Sequence, residues 1–268
     1  GIGVVSAGTF TRTRESSFLN NFYLASDSNG QLLKQGLEAL NAGPIVEELI
    51  ANVYPLAELQ ARPHLRDNKT VFCITDRLDL GGLWEGKMIS GVSKSKISVK
   101  HMKIGKSDQD CYCHRKGCLV LSASIWSIMD RYYGYQPGER GIQAYNIIEN
   151  ERNHMFDLIR KEDPILMPII KSAAKDIADA IENLAVIFRP DAVFFNSWLS
   201  INRENGIDII KKQFEDYATI NKQAILECDI ITHGEIQGAV GAAVMIIENN
   251  FGDSTPHLRI SDFTKLLD

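Results

Sequence analysis

Hydrophobic and polar positions along the 268-residue chain follow two periods, one close to 2 and one close to 3.6, in alternation. The first ten residues, GIGVVSAGTF, predict a strand, and residues 11–30 are rich in Ser, Asn and Asp, which predicts an irregular loop. A helix is predicted from Gln31 to Leu40, stopped by Asn41-Ala42-Gly43-Pro44, then a short strand from Ile45-Val46 and a helix over 51–61. The β-rich run Thr70 to Thr75 predicts a strand, and Trp84-Glu85-Gly86-Lys87 a hairpin. A helix over Leu119 to Tyr132 follows a polar stretch, and helical spacing then dominates 141–188. It is strongest where Ile170, Ala173, Ala174, Ile177, Ile181, Leu184 and Ala185 recur between Ile169 and Phe188. The apolar run 191–195 predicts a buried strand. A helix at 203–216, a strand near 223–231 and a closing helix over 235–249, rich in small residues, complete the pattern. Strands alternating with helices predict the α/β class.

Composition narrows the function classes. At 44% hydrophobic the chain can fill a sizeable core, and its length suits one large or two smaller domains. A formal charge of −5 disfavours this stretch of sequence as a grip on phosphate backbones. No 18-residue apolar run predicts a membrane span, and the N-terminus lacks the basic and apolar regions of a signal peptide. A cytoplasmic protein without membrane insertion is expected. Gly1 in place of an initiator Met, followed at once by a strand, predicts that the sequence starts inside a longer chain.

The sharpest chemical signal lies in the Lys-rich stretch 92–118, where seven Lys or Arg surround three of the five cysteines. His101, Cys111, Cys113 and Cys118 make a Cys3His set, one of the usual inventories for tetrahedral zinc. A closed four-ligand site leaves no open position for chemistry, so the expected role is structural. Free cysteines in a surface loop and a nucleic-acid zinc finger are the competing readings, the latter favoured only by the local lysines. His114 competes with His101 for the fourth position but directly follows Cys113. Cys73 and Cys228 sit in apolar runs and read as core residues.

Here the sequence resembles the ROK family of repressors, open reading frames and sugar kinases. That family carries Gly-His, a ten-residue step to Cys-x-Cys-Gly-x-x-Gly-Cys, then Leu-Glu; this chain reads Lys100-His101 and Cys111-Tyr112-Cys113-His114-Arg115-Lys116-Gly117-Cys118-Leu119-Val120. Gly1 to Gly8 looks like the family's first strand and turn, and Pro44 to Glu58 like its strand and helix around Glu-Asn-Asp-x-Asn. Glu85-Gly86-Lys87 to Gly91 looks like its Asp-Gly-Lys hairpin. PDAVFFNSWLS, from Pro190 to Ser200, looks like its nucleotide-site strand, and Gly238 to Ala243 like its last helix. The resemblance implies a bilobal actin-like ATPase (ribonuclease-H-like) fold with an incomplete N-terminal lobe: a remnant of that lobe over 1–66 and the C-terminal lobe with the zinc loop over 67–268, the last helix packing back on the first lobe. It also implies weak ligand contacts at Gly8 and Asn52.

The departures point away from catalysis. Ile50 stands where the resemblance places the kinase base, and Leu49 where it places a sugar-holding Asn. An aliphatic side chain can neither take a proton nor bond a hydroxyl. Ser98 and Val120 replace two sugar carboxylates. In the Gly-rich phosphate turn, Asp76 and Asp79 would repel phosphate, and Asn196-Ser197-Trp198 replaces Gly-Gly-Gly at the adenosine site. The family's first phosphate loop would lie upstream of Gly1. The expectation is a non-catalytic core of a ROK transcriptional regulator that senses an effector, a sugar or a transport-system protein. It would assemble as a homodimer or tetramer and reach DNA only through a helix-turn-helix upstream of Gly1. The alternative is a divergent ATP-dependent sugar kinase.

Overall fold

A computed structural model describes residues 1–6, 9–10, 19–20, 35–41, 43–66, 69–89, 97–104, 108–136, 145–196, 198–221 and 227–251. Gly8, Ser197, residues 92–96 and most of the predicted loop at 11–30 lie outside them. Parallel strands β1 (Ile2–Ser6) and β4 (Ile45–Leu49) pair with Ile2 opposite Ile45 and Ser6 opposite Leu49. The short β2 (Thr9–Phe10) and β3 (Leu19–Asn20) pair antiparallel within the stretch expected to be a strand end and a loop. A third sheet has the strand order β7-β6-β5-β8-β9, from β5 (Val71–Thr75), β6 (Leu80–Trp84), β7 (Lys87–Met88), β8 (Ala192–Asn196) and β9 (Glu227–Ile230).

The chain divides into two compact units: Gly1–Cys73 with Gly81–Ile97 and Ile231–Asp268, and Ile74–Leu80 with Ser98–Ile230. In the first unit, helical residues 35–39 form α1. Helix α2 (Ile50–Ala61) packs on α8 (Gln237–Phe251), and α8 also lies on β1. Helix α2 is buried from Ala51 through Glu58, too completely for an amphipathic surface helix. The small residues of α8 permit this packing: a Cβ at Gly3 would sit 2.8 Å from the Ala242 carbonyl oxygen, and one at Gly241 would overlap the Val53 carbonyl. The β6–β7 hairpin turns through Glu85 (φ 49°) and Gly86 (φ 75°), both left-handed as a two-residue hairpin of this twist requires.

In the second unit, α6 (Leu166–Phe188) packs against α3 (Val120–Ala123), α4 (Ile125–Tyr132), α5 (Tyr145–Arg160) and α7 (Ile207–Asn221). Every apolar position picked out by its spacing is buried. The single helix expected over 119–132 is two, because Ser124 takes an extended ψ of 152° and its side chain accepts from Ser127 N–H as the N-cap of α4. Helix α6 ends at Arg189, whose left-handed conformation caps it onto the Ala185 carbonyl just before Pro190. Helix α7 starts at Ile207 rather than 203, after Gly206 folds the chain tightly against Leu199. Strand β8, parallel to β9, carries the buried Val193, Phe194 and Phe195.

Candidate functional site

The metal-ligand set is assembled by two short pairings. Lys103 bridges Cys118, and the amides of Leu119 and Val120 donate to the carbonyls of Met102 and Lys100. This lays the His101 strand along the Cys118 strand. Asp110 bridges Lys116, while His114 N–H donates to the Cys111 carbonyl at 2.8 Å. His114 (φ 63°) and Gly117 (φ 71°) supply the left-handed positions of the knuckle. As a result the donor atoms of His101, Cys111, Cys113 and Cys118 all lie within 4.8 Å of one another. His114 is exposed and outside that group, which settles its competition with His101.

The spacings fit one ion. Cys113 Sγ is 3.5 Å from Cys118 Sγ, and Cys111 Sγ is 3.6 Å from His101 Nδ1. Two thiolates about 2.3 Å from a tetrahedral zinc stand roughly 3.8 Å apart. Cys111 and Cys118 are buried against Val120 and Leu121, so the protein side of the cluster is sealed, while the Tyr112 ring stands edge-on to His101. Burial, then the nearby Lys100 and Arg115, lower the His101 pKa, keeping the imidazole neutral with a lone pair to offer. Burial pushes Cys111 up, and burial together with the neighbouring thiols pushes Cys118 up to about 12. Burial also raises Cys113, but hydrogen bonds from the Arg115 side chain and backbone outweigh it and bring that thiol to about 7. Cys73 and Cys228 are buried elsewhere, with thiols pushed up by burial, as inert core residues should be.

The other singled-out positions are engaged in structure. Ile50, in the first turn of α2, lies where a Cβ on Gly238 would come within 2.9 Å of its Cγ1. Asn52, expected to touch a ligand, is 1% exposed and donates from Nδ2 to Glu48 Oε1 at 2.9 Å. Glu48, itself buried, also accepts from Leu49 N–H at 2.8 Å, placing a carboxylate at the start of α2. In the second unit, Ser98 Oγ donates to the Leu78 carbonyl at 2.7 Å and accepts from Lys100 N–H, and Val120 is buried. Trp198 is 1% exposed: it fills the interior of its unit rather than standing over a ligand surface.

The turn after β5 is closed on itself. Thr75 N–H donates to the Asp79 carbonyl, Leu78 N–H to the Thr75 carbonyl, and Asp79 N–H to Thr75 Oγ1. Three amides of the turn, those of Thr75, Leu78 and Asp79, are thus spent on internal acceptors. The acidic side chains are neutralised in place, Asp79 by Lys100 at 3.3 Å and Asp76 by Arg152 at 3.0 Å. These ion pairs offset part of the negative charge that the sequence places at the turn. The glycines that follow also have packing reasons: a Cβ at Gly81 would land on the Ala51 carbonyl, and one at Gly82 would sit 2.8 Å from Phe72 Cδ1.

The profile of the ROK family matches residues 2–249. This chain belongs to the ROK family. Solved ROK structures share its fold, the actin-like ATPase fold. A ROK family transcriptional regulator, a homolog of the E. coli MLC protein, superposes with a TM-score of 0.67 at 16% identity over 90% of this chain and 60% of its own. The ROK hexokinase of Thermus thermophilus gives 0.63 at 19% identity over 93% and 79%. The Streptomyces griseus glucokinase solved with glucose and AMPPNP gives 0.63 at 22% over 91% and 80%. The chain thus spans about 60% of the regulator's length. No curated protein matches the sequence. Among the described residues, no helix is long and apolar enough to cross a membrane.

Sequence reasoning did not anticipate two buried clusters. Glu58, fully buried, accepts at Oε1 from Thr232 N–H (2.7 Å) and Gln237 Nε2 (2.6 Å) and at Oε2 from Thr232 Oγ1, and it pairs with Arg62. The i,i+4 spacing of Glu58 and Arg62 was a usable signal for that pair. The Asp79–Lys100 pair joins two positions that depart from the ROK pattern with opposite charges, which was equally visible.

Proposed function

We propose that this chain is the effector-sensing and oligomerising core of a ROK-type transcriptional regulator, without kinase activity. In this reading it works in the cytoplasm as a dimer or tetramer and reaches DNA through a helix-turn-helix encoded upstream of Gly1. Its effector is a sugar or a transport-system protein, and a structural zinc ion sits on His101, Cys111, Cys113 and Cys118. The ion would tie the 101–118 loop to α3, and none of its four protein ligands would be spent on chemistry.

The observation that carries the reading is Ile50. Phosphoryl transfer to a sugar needs a base within hydrogen-bond reach of the attacking hydroxyl and donors around the phosphates. Ile50 offers a hydrocarbon packed beside Gly238, and the nearby Glu48 carboxylate is committed to Leu49 N–H and Asn52. The inward-turned amides of the Thr75–Asp79 turn support the same conclusion from the nucleotide side.

A coupled assay of ATP consumption over a panel of hexoses and N-acetylhexosamines tests it directly. The expected result is no sugar-dependent turnover by zinc-loaded protein at concentrations where a family kinase is saturated. Sugar-dependent ADP release that tracks the protein through purification would instead establish the divergent-kinase alternative.

A further inference from the structure

From the geometry around Arg131 we infer a second ligand site, one that takes a small molecule carrying an oxyanion, beside the metal loop. It stands on the local structure alone and holds whether or not the regulator reading is correct. A hollow of about 340 Å³ is lined by Gln109, Ser122, Arg131, Tyr135 and Gln136, with Gly134 at its mouth. That volume lies at the lower end of the range for small-molecule sites.

Among the described residues, Arg131 is the only cationic side chain in the lining. Its guanidinium is held in place by backbone carbonyls, Nε by Ser127 at 3.3 Å and Nη2 by Ser122. Those two bonds use two of the five guanidinium hydrogens and fix the plane of the fork. Burial lowers its pKa, and Asp176 opposes that through space. A half-buried, pre-oriented guanidinium bonded to neutral carbonyls gains most from an oxyanion, which accepts two parallel hydrogen bonds and cancels the charge.

The rest of the wall suits a polar ligand body. Gln109 Nε2 donates to Gln136 Oε1 at 2.9 Å, closing one side of the hollow with a carboxamide pair. Tyr135, 45% exposed, offers a ring, and a Cβ built on Gly134 meets nothing within 4 Å, so the mouth is open. The fitting class is a small carboxylate or phosphate ester with hydroxyl or amide groups.

The test uses isotope-labelled, zinc-loaded protein titrated separately with inorganic phosphate and with malonate, against chloride at matched ionic strength. At least one probe should give saturable shifts of the Gln109 and Gln136 side-chain amides and the Arg131 Nε–H, and the one that does identifies the anion type. Arg131→Gln should weaken that binding roughly thirtyfold or more. Because this variant also loses the carbonyl clamp, Gln109→Glu provides the independent arm. It is isosteric and leaves Arg131 intact, so it should melt like wild type yet bind the probe about tenfold more weakly by like-charge repulsion. Shifts no larger than those in chloride, or a Gln109→Glu variant with wild-type affinity, would overturn the site.

Discussion

Lys100 and Asp79 provide the most direct test of how the Thr75–Asp79 turn is held. Their charged atoms are 3.3 Å apart, with side chains 22% and 5% exposed respectively. At an effective dielectric constant of 20, Coulomb attraction at that distance is roughly 5 kcal/mol. Desolvation of the enclosed carboxylate cancels a large part of it, leaving a coupling of about 2 kcal/mol. Replacing Lys100 by Met keeps the methylene stem and removes the charge, so the Asp79 carboxylate stays enclosed without its cation. That single change should cost about 3 kcal/mol, or roughly 6–12 °C in melting temperature for a chain of this size. Adding Asp79→Asn should return about 2 kcal/mol, because the pair is then removed as a unit. Urea unfolding of zinc-loaded wild type, both single variants and the double variant closes the cycle, followed by far-UV circular dichroism and tryptophan fluorescence at fixed pH and salt. A coupling energy below about 0.5 kcal/mol would refute the reasoning, since it would mark an ordinary solvent-screened pair.

Further outcomes bear on the metal and on Gly81. Elemental analysis should give about one zinc per chain. With the metal-free thiols of Cys111 raised and Cys118 near 12, binding must expel protons, so apparent zinc affinity should rise with pH between 6 and 8 and the heat of binding should depend on the buffer's ionisation enthalpy; Cys113→Ser should lose the metal and loosen the 101–120 loop in hydrogen exchange, and a metal-free variant as protected as wild type would contradict the structural role. Gly81→Ala should cost more than about 3 kcal/mol, because the new methyl group meets the Ala51 carbonyl and not a flexible side chain; a normally folded, equally stable alanine variant would show that packing is not what requires this glycine.

Elements whose burial repeats on one face were legible from sequence. Helix α6 shows its apolar stripe at helical spacing, and the buried run of β8 stands out between Pro190 and Asn196. The metal cluster was legible for a different reason: thiols and an imidazole have few other uses at that spacing, so residue type alone announced it. What stayed hidden was set by long-range partners. The break at Ser124 depends on one serine bonding both the Val120 carbonyl and the Ser127 amide, and helical propensity cannot report that choice. Helix α2 is buried from Ala51 through Glu58 where α8 packs on it from far along the chain, and nothing in the 51–61 pattern names that partner. Asn52 shows the same dependence on packing: its amide donates to the buried Glu48, a contact that its place in the motif does not announce.

The residues at positions that depart from the ROK kinase pattern are woven into their surroundings. Ile50 packs beside Gly238, Ser98 is bonded to the Leu78 carbonyl, Lys100 holds Asp79, and Trp198 fills the interior of its unit. Here each position carries hydrogen bonds, charge balance or volume of its own. Restoring one catalytic residue would therefore oppose the local packing without recovering the others. An Asp at position 50 would bring a carboxylate against Gly238, while the turn amides stayed bonded to Thr75 and Asp79. Phosphoryl transfer depends on base and phosphate donors acting together, so an Asp at position 50 would not by itself confer it.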